Sequence, residues 1–507
     1  MKVHDGRAHA GDLELSCDLV IIGSGAGGAV VAAEAAEAGQ DVIVLEEGGH
    51  VPASEYAGYS TLESMQALFR GGGTTFALGV GRSPFINVTM GRCVGGSSVI
   101  TGGVCFRTPE HITDTWVKER RLKGLSSRAL EPYFEEVEKA IHVETVPEEM
   151  RSGSTLLFGK GAAARGHPLE PIRRNTEGCH GCGRCNFGCP HQAKRSVDLN
   201  YLPRAVAAGA RIHSGCLVEK ITHAKGRATG VVGRLLGGRG DAPRGRLRVK
   251  ARRVVLAAGS YHGPLVLQKS GLVGPSGQVG RNMTLHPGFR VMARFDEPVR
   301  GWAGSLQAAY SDAFEHERFT MIGLFLPPGV LAATLPGVGP GHLHHARHIP
   351  NLAVFGGIIH DEGGGRVRRG LGREPFVTYR MAPEDLAVVP KILREMGEIY
   401  LAAGAKELFL PILGLGGVSP ERFRSLDLEK VKPRDLECSS QHPLGTCRMG
   451  ESEKSSVVDE QGKLWGLEDL YVADGSIVPS SLGVNPQLTI MAMALKVARG
   501  MLEVPLS

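Results

Sequence analysis

The hydrophobic pattern at the start of the chain predicts a strand, a helix and a second strand in close succession. Leu19 to Ile22 is a short apolar run rich in β-branched residues, as expected of a strand buried on both faces. An alanine-rich stretch from Ala26 to Ala38 favours a helix that ends at Gly39. A second apolar run, Asp41 to Leu45, ends at Glu46. This order of elements is typical of an α/β fold.

Glycines occupy the turn between the first strand and the helix. Gly23, Gly25 and Gly28 fall at the G-x-G-x-x-G spacing of dinucleotide sites. There the first glycine allows the tight turn, the second lets the backbone approach a pyrophosphate, and the third lets helix and strand pack closely. Glu46, roughly 20 residues on, can accept hydrogen bonds from a ribose 2′-OH. The unit predicts a site for FAD or NAD; a glycine-rich turn in an ordinary α/β domain is the alternative.

A second glycine-rich segment lies between Gly91 and Gly103. Small residues at this density let a backbone approach a flat ligand closely and supply amide donors. By itself the segment could be a mobile loop, but beside a dinucleotide site we interpret it as a cofactor contact. The contact residues that we expect are Gly91, Gly95, Gly96 and Ser97.

The α/β pattern returns after an interruption. From Pro109 to about Val146 the sequence is helical and charged, which indicates a second region inserted into the nucleotide-binding unit. Arg253 to Ser260 predicts a buried strand that ends in small residues. Gly259 then lies at the edge where a doubly wound sheet opens onto a ligand crevice.

A different character begins near Gly288. Residues 351–360 and 376–381 predict sheet strands, and Pro383 opens an amphipathic helix. Between residues 325 and 350 lies a segment rich in proline, glycine and histidine. It fits either a lid over an apolar substrate or a disordered connection.

Length and composition narrow the class of protein. At 507 residues two or three domains are expected, and 42% apolar with 22% charged residues describe a globular chain. The net charge of +6 comes from 58 basic and 52 acidic residues, without a basic run interleaved with aromatics. Nucleic acid is therefore not an expected partner. Contact with an anionic membrane surface or an acidic partner stays open.

Targeting signals are absent from the pattern. Met1 to Gly11 is polar and has no apolar core, so we expect no secretory signal. No stretch offers about 18 uninterrupted apolar residues, so we expect no membrane-spanning helix. The ten cysteines favour reduced thiols or metal ligation over a disulfide framework. We expect a cytoplasmic protein; export together with a partner protein stays open.

Four of the cysteines form a compact run, Cys179, Cys182, Cys185 and Cys189, followed by Pro190. The C-x2-C-x2-C-x3-C-P spacing is the ferredoxin-type run that holds an iron–sulfur cluster. In two-cluster ferredoxins the fourth cysteine serves the other cluster, so Cys189 is either a fourth ligand or a packing residue. A metal-free cysteine loop and a structural zinc site are the alternatives.

The last region joins a histidine segment to a helix start. Gln441 to Gly450 contains His442, and Gly483 to Ala494 contains Asn485 and Pro486. Pro486 suits the first turn of a helix and Asn485 suits its N-cap. The positive end of that helix would stabilise a nearby cofactor anion.

The ordered combination of these segments resembles the glucose–methanol–choline (GMC) oxidoreductases, FAD-dependent enzymes that act mostly on alcohols. The resemblance extends from about Leu15 to Met501. It implies an α/β fold in which a Rossmann-like FAD-binding domain is interrupted by an α+β substrate-binding domain with an antiparallel sheet. It rests on five blocks: the G-x-G-x-x-G with Glu46, residues 91–103, residues 259–271, Gly280-x-Asn282 with His286-Pro287, and the His442/Asn485 tail.

On this resemblance we expect six consecutive segments. Three of them form the FAD-binding domain: residues 14–110, 196–287 and 436–507, the last with the catalytic residues. The other three are a helical part of the substrate region at 111–178, the cysteine-rich loop at 179–195 and the substrate-binding domain at 288–435.

The resemblance also implies roles for single residues. Val218 would contact the adenine side through its backbone, and Asp474 and Gly475 would lie near the pyrophosphate and ribityl chain. His442 matches the catalytic histidine, and Asn485 occupies the place of a second histidine or an asparagine, in surroundings that resemble the sterol-oxidising branch. The cysteine run is similar to that of bacterial relatives, some of which are dehydrogenase subunits with an iron–sulfur cluster. An electron-acceptor protein is then an expected partner.

The expected reaction is hydride transfer from the CH–OH group of an alcohol to flavin N5. His442, neutral near pH 7, would act as the base that accepts the hydroxyl proton, and Asn485 would fix the same oxygen. The apolar stretch from Phe319 to Val338 favours a hydrophobic alcohol. A GMC-fold lyase or decarboxylase and an electron-transfer flavoprotein subunit are the alternatives.

Overall fold

Two large β-sheets with helices packed on them organise the chain, whose computed structural model describes residues 1–237 and 241–504. Within these ranges the first sheet has eight strands and the second has eleven. Both sheets take their strands from separate parts of the sequence. Each domain is therefore assembled from discontinuous segments.

The first sheet grows from the β-α-β unit at the start of the chain. Leu19–Ile22 pairs in parallel with Val42–Leu45 on one side and with Arg253–Leu256 on the other. Leu19–Ile22 is at most 5% exposed, because helices cover both faces of a parallel sheet. The strands are β1 (His4–Asp5), β2 (Leu13–Ile22), β3 (Val42–Leu45), β9 (Arg211–Ser214), β10 (Cys216–Ala224), β11 (Arg227–Leu236), β12 (Pro243–Leu256) and β21 (Leu470–Val472).

Helix α1 (Ala26–Glu37) is the centre of one helical layer on this sheet. Its alanine, glycine and valine side chains are small, and most of them are buried. Their size allows close packing against α7 (Tyr201–Ala207) and α13 (Gln487–Leu502). The predicted α/β unit is therefore confirmed, with α1 ending one residue before the predicted end at Ala38.

The second sheet is mostly antiparallel and follows the order β17-β18-β4-β5-β20-β13-β16-β15-β14-β7, with β19 beside β13. Its longest central pair joins Gly288–Arg294 to Leu352–Ile359. The strands are β4 (Phe76–Gly79), β5 (Ile86–Val88), β7 (Glu170–Pro171), β13 (Gly288–Arg294), β14 (Ala309–Ser311), β15 (Phe319–Gly323), β16 (Leu352–Ile359), β17 (Gly365–Arg369), β18 (Pro375–Tyr379), β19 (Glu407–Phe409) and β20 (Cys438–Ser440).

The expected domain segments and the observed sheets differ at three short strands. Strands β4 and β5 lie within residues 14–110, and β20 lies within residues 436–507, yet all three join the second sheet. Each has only three or four residues, too few for a clear alternation of apolar and polar positions. Their partners are far away in sequence, as in the pair Ile86 and Cys438. Local pattern could not have predicted this pairing.

Residues 325–350 form an ordered, partly helical connection. Helix α9 (Pro328–Ala333) and helix α10 (Gly339–Ala346) lie in this segment. Leu331 and Leu335 are buried in a cluster with Phe409 of the second sheet. A disordered connection is therefore the wrong alternative.

The remaining helices lie around and between the two sheets. None of the helices in the described ranges is both long and apolar enough to cross a membrane. A two-stranded sheet joins β6 (Val143–Thr145) and β8 (Arg173–Asn175). The helices are α2 (Ala53–Tyr56), α3 (Thr61–Leu68), α4 (Glu110–Lys118), α5 (Ser127–Ala140), α6 (Gly153–Ala164), α8 (Gly259–Lys269), α11 (Pro383–Ala402) and α12 (Pro420–Ser425).

Candidate functional site

A long cavity runs along the edge of the first sheet where β2, β3 and β12 end. It passes the N-terminus of α1, which carries no side-chain cap, so the first amides of the helix are available to an anion. Most residues predicted to bind the cofactor line this cavity: Gly23, Gly25, Glu46, Gly91, Gly96, Ser97, Val218, Gly259, Asp474, Gly475 and Pro486.

Gly25 and Gly28 of the turn have different structural roles. A Cβ on Gly28 would stand 2.1 Å from the carbonyl oxygen of Gly23, so Gly28 serves helix–strand packing and does not line the cavity. A Cβ on Gly25 would meet only the Cα of Gly96, at 4.0 Å. Gly25 therefore keeps space free for a ligand, as its position in the motif predicts.

Glu46 holds the two glycine segments together. Its carboxylate accepts hydrogen bonds from the Ser24 amide (3.1 Å), the Ser24 hydroxyl (2.7 Å) and the Gly48 amide (2.8 Å). The Ser24 hydroxyl oxygen in turn accepts from the Gly95 amide at 3.1 Å. Gly95 thus supports the site from behind and does not line the cavity. A carboxylate has about four acceptor positions, so Glu46 can still take a ribose hydroxyl.

Asp474 fixes the opposite wall. Its carboxylate accepts from the Gly259 amide and from the Ser476 amide, both at 2.8 Å. Burial raises the pKa of Asp474, while these hydrogen bonds lower it. Asp474 therefore orients the backbone at Gly259 and Gly475, and both glycines line the cavity.

The start of α13 differs from the prediction by one residue. Pro486 is the N-cap, and the helix begins at Gln487. Asn485, predicted as the N-cap, instead directs its side chain to His442. The first-turn amides of α13 receive no side-chain cap and face the cavity edge lined by Pro486.

A second cavity of about 280 Å³ adjoins the first. Hydrophobic side chains of the second sheet and of Leu324–Leu326 form much of its wall, with Arg290 and Gln307 as polar members. The two cavities share six residues at their junction: Ala26, Ser97, Gln441, His442, Pro486 and Ile490. A flat ring bound in the first cavity would reach the second cavity there.

Both nitrogens of His442 are engaged at this junction. Nδ1 lies 3.2 Å from Nδ1 of His286, and Nε2 lies 3.1 Å from the amide nitrogen of Asn485. The backbone of His442 is held by Ser440, whose hydroxyl oxygen accepts from the His442 amide at 3.0 Å. The structure thus brings His442 and Asn485 together, although 43 residues separate them in sequence.

The hydrogen bonds of His286 determine which nitrogen of neutral His442 carries the hydrogen. Nε2 of His286 accepts from the amides of Leu482 (2.9 Å) and Gly483 (3.2 Å), so the proton of His286 stands on Nδ1 and points at His442. Neutral His442 then accepts at Nδ1 and bears its hydrogen on Nε2. If the oxygen and nitrogen of the Asn485 side-chain amide exchange places, the oxygen accepts from this N–H. Without that hydrogen bond, the buried amide oxygen of Asn485 has no partner.

Burial keeps both imidazoles neutral. Desolvation, with the nearby His286, lowers the pKa of His442 well below its ordinary value. Desolvation, with the nearby His360, lowers the pKa of His286 to about 3. His442 is therefore uncharged at neutral pH, as expected of a group that accepts a proton during a reaction.

Sequence reasoning assigned no role to His286 or Asp361. His286 has a left-handed backbone (φ 47°), and the buried carboxylate of Asp361 accepts from the amides of Leu285 and His286, both at 3.0 Å. Asp361 also accepts from Ser481 at 3.0 Å, next to the Leu482 amide that meets His286. The His286-Pro287 pair was the only sequence signal for this support.

The four cysteines of the run surround one small cavity. Cys185 and Cys189 are buried, whereas Cys182 is exposed. Burial alone would raise the pKa of the Cys185 thiol, but Arg174 and Lys194 bring it below its ordinary value. Among the described residues, no three His, Cys, Asp or Glu side chains are grouped as ligands of one metal ion.

Comparisons with known proteins identify the class to which this fold and the two adjoining cavities belong. The sequence pattern of the GMC oxidoreductases matches residues 65–288 and 373–494, and that of an FAD-binding domain matches residues 18–58. The chain belongs to the GMC oxidoreductase family and is an FAD-dependent enzyme. This confirms the predicted family, fold class and flavin cofactor.

Individual relatives show how close the similarity is. The chain is 40% identical to the uncharacterized GMC-type oxidoreductase Rv0492c of Mycobacterium tuberculosis, over 95% of this chain and 75% of the relative. It is 28% identical to the long-chain-alcohol oxidase FAO4B of Arabidopsis thaliana, over 95% and 66%. The structure of pyridoxine 4-oxidase from Mesorbium loti has a TM-score of 0.72 at 19% identity, covering 96% of this chain and 99% of that chain.

Proposed function

We propose that this enzyme oxidises the CH–OH group of a hydrophobic alcohol, with His442 as the base. The observation that carries the proposal is the position of His442 at the junction of the two cavities, paired with Asn485 of the second cavity. FAD in the first cavity would supply the hydride acceptor, held by the α1 N-terminus, Glu46 and the glycine segments. An alcohol in the second cavity would then meet both the ring and the pair.

Two side chains would hold the alcohol oxygen. Nε2 of His442 and the side-chain amide of Asn485 lie 3.1 Å apart and form one polar edge, so a hydroxyl placed beside this edge can both donate and accept. Among the described residues that line the second cavity, only His442 and His286 can exchange a proton near neutral pH. Arg290 also lines it but stays permanently charged. Because alcohol oxidation releases the hydroxyl proton, we assign its uptake to His442.

The resting tautomer sets a condition on this role. Nε2 can take the hydroxyl proton only when the hydrogen of His442 stands on Nδ1, facing His286. That exchange would place the His286 hydrogen on Nε2, against the amides of Leu482 and Gly483. In the resting arrangement His442 instead meets the oxygen as a hydrogen-bond donor. Donation is therefore the competing role, and glutamine at this position separates the two roles.

The wall of the second cavity supports a hydrophobic substrate. Phe289, Ile322, Phe325 and Ile358 face a space in which Asp and Glu are absent from the described lining. An alkyl chain buried there gains about 0.8 kcal/mol per CH₂. The 28% identity to a long-chain-alcohol oxidase points to the same substrate class.

The proposal predicts that a long-chain primary alcohol bleaches the enzyme-bound flavin in the absence of oxygen. Glucose, which would bring many hydroxyls against an apolar wall, should give no bleaching at the same concentration. The flavin absorbance of the holoenzyme in an anaerobic titration is the measurement. A flavin that no alcohol bleaches would contradict the proposal, and bleaching only by a protein electron donor would indicate an electron-transfer subunit.

A pH profile provides a second prediction. A histidine with a depressed pKa stays neutral until the pH falls through that lower value, so protonation of His442 should cause no loss of rate between pH 8 and pH 6. The rate of anaerobic flavin reduction by the alcohol should be level over this range, with thermal stability recorded at each pH. A decline centred near the ordinary histidine value of about 6.5 would contradict the buried, neutral base.

We also propose an iron–sulfur cluster as a second cofactor at the cysteine run. The common cavity of Cys179, Cys182, Cys185 and Cys189 supports it, together with the ferredoxin-type spacing. Zinc is less well supported, because it would need its ligands around a single ion. A reduced enzyme with a cluster would suit a protein electron acceptor as partner, as expected from the sequence.

A further inference from the structure

Two buried basic side chains lie between the cysteine run and the glycine-rich segment 91–103, which lines both cavities. Arg174 and Lys194 are 0% and 1% exposed. Neither forms an ion pair with a carboxylate in the described part of the chain; the nearby Asp198 accepts instead from Ser196 at 2.6 Å and from Tyr56 at 3.4 Å. No carboxylate of the described residues contacts either side chain directly, and a buried charge is stabilised by an anion close to it.

Arg174 contacts the cysteine run directly. Its Nη2 donates to Sγ of Cys185 at 3.0 Å, its Nε donates to the carbonyl oxygen of Gly102 at 2.8 Å, and its Nη1 donates to Ser305. A guanidinium is permanently charged, so it favours a thiolate over a thiol as its sulfur partner. Arg174 thus joins the backbone at Gly102, which lines the second cavity, to the sulfur of Cys185.

Lys194 makes a similar connection through backbone groups. Its Nζ donates to the carbonyl oxygens of Ser98 (3.0 Å), Val99 (2.7 Å), Thr101 (2.8 Å) and Cys185 (2.9 Å). Four backbone oxygens of two separate segments therefore surround one buried nitrogen.

The sulfurs receive further donors. The amide of Lys194 donates to Sγ of Cys189 at 3.4 Å, and the Gly181 amide donates to Sγ of Cys179 at 3.5 Å. Three of the four sulfurs therefore accept an N–H, as ligands of an anionic cluster do. Asn186, next to Cys185, lines the second cavity, so the cysteine run adjoins the wall of that cavity.

We propose that Arg174 and Lys194 belong to the binding site of an anionic iron–sulfur cluster held by the cysteine run, and that they fix this cluster against residues 98–102. The inference rests on the cluster of the proposed function and deepens it. It assigns the counter-charge of the cluster to residues outside the ligand set. Arg174 acts as a positioning residue, because it contacts a ligand sulfur and not the alcohol.

The test compares two adjacent arginines. Arg174→Gln removes the charge at Cys185, whereas Arg173→Gln removes a charge that pairs with Glu138 at 2.9 Å on the other face of the strand. We measure iron, acid-labile sulfide and FAD in anaerobically purified protein, with the visible and electron paramagnetic resonance spectra. The wild type and Arg173→Gln should retain several irons per FAD. Arg174→Gln should lose about 10-fold or more of its iron and keep its FAD.

Further variants keep the test decisive. If Arg174→Gln does not fold, Arg174→Lys serves instead, because it retains the charge but loses the planar guanidinium with its several donors. Arg174→Lys should hold less iron than Arg173→Gln. Cys182→Ser, at an exposed position, should fold and lose iron. Three results would each overturn the proposal. They are an iron content of Arg174→Gln equal to that of the wild type, bound zinc in place of iron, and a wild type that holds no iron after anaerobic reconstitution with ferrous iron and sulfide. Flavin bleaching by alcohol in the same wild-type sample tests the oxidation separately.

Discussion

Replacing His442 by alanine is expected to lower the rate of anaerobic flavin reduction by an alcohol by about 10²-fold or more, the range of a general base. His442→Gln should fall nearly as far, because an amide can hold the alcohol oxygen but cannot take its proton. Stopped-flow absorbance of the flavin measures both rates. Each variant should bind FAD, since His442 contributes only part of one end of the first cavity.

The comparison between these two variants separates proton acceptance from hydrogen-bond donation. If His442→Gln retains most of the wild-type rate while His442→Ala does not, His442 acts as a donor, the role that the resting tautomer favours. A buried histidine of the first sheet supplies the control: His213 is 7% exposed and does not line either cavity. His213→Gln should leave the rate per bound flavin unchanged.

Replacing Gly25 by alanine should weaken FAD binding by about 10²-fold, which corresponds to about 3 kcal/mol. The backbone of Gly25 is extended (φ −71°, ψ −168°), and the nearest atom to an added methyl is 4.0 Å away, so the apoprotein tolerates it. The methyl would occupy the approach of the pyrophosphate to the turn. Fluorescence titration of apoprotein with FAD measures the affinity, and thermal unfolding measures the stability.

Gly28→Ala should lower the stability of the fold rather than the affinity for FAD. Its methyl would stand 2.1 Å from the Gly23 carbonyl oxygen, so we expect a loss of about 1–3 kcal/mol in unfolding free energy before any effect on FAD. Gly500→Ala, with open space at a position in α13, is the matched control for both. Normal FAD affinity in Gly25→Ala would contradict the assignment of this turn to the pyrophosphate.

The first β-α-β unit and the cavity at its glycine turn could be predicted because their signals are local. The run Leu19–Ile22, the glycine spacing and Glu46 each occur within about 30 residues, and each has a direct mechanical reason. The family resemblance then placed His442 and Asn485 in one site, and the structure puts their side chains 3.1 Å apart. Periodicity alone could not have joined them, because contacts across a fold leave no periodic signal.

The supporting residues could not be predicted for the same reason. His286 influences the site through its own tautomer, which depends on backbone amides at Leu482 and Gly483, almost 200 residues further along. Arg174 and Lys194 look like ordinary surface charges in the sequence. Only their burial beside Cys185 distinguishes them from the other basic residues.

The first and the second cavity are lined mostly by different parts of the chain, so cofactor binding and substrate binding would depend mostly on different residues. The opening segment with Gly25 and Glu46 would anchor one end of FAD and does not choose the reaction. On the proposed function, the reaction is determined where His442 and Asn485 meet the apolar wall of the second cavity. A change of substrate class should therefore follow from changes in the second cavity and leave FAD affinity intact.

The most direct test of alcohol oxidation is the rate of anaerobic flavin reduction by a long-chain primary alcohol that carries deuterium on the carbinol carbon. If hydride leaves that carbon in the rate-limiting step, the wild-type flavin should be reduced several-fold more slowly by the deuterated alcohol than by the ordinary one, with the aldehyde as product. A flavin that no alcohol reduces would contradict the account.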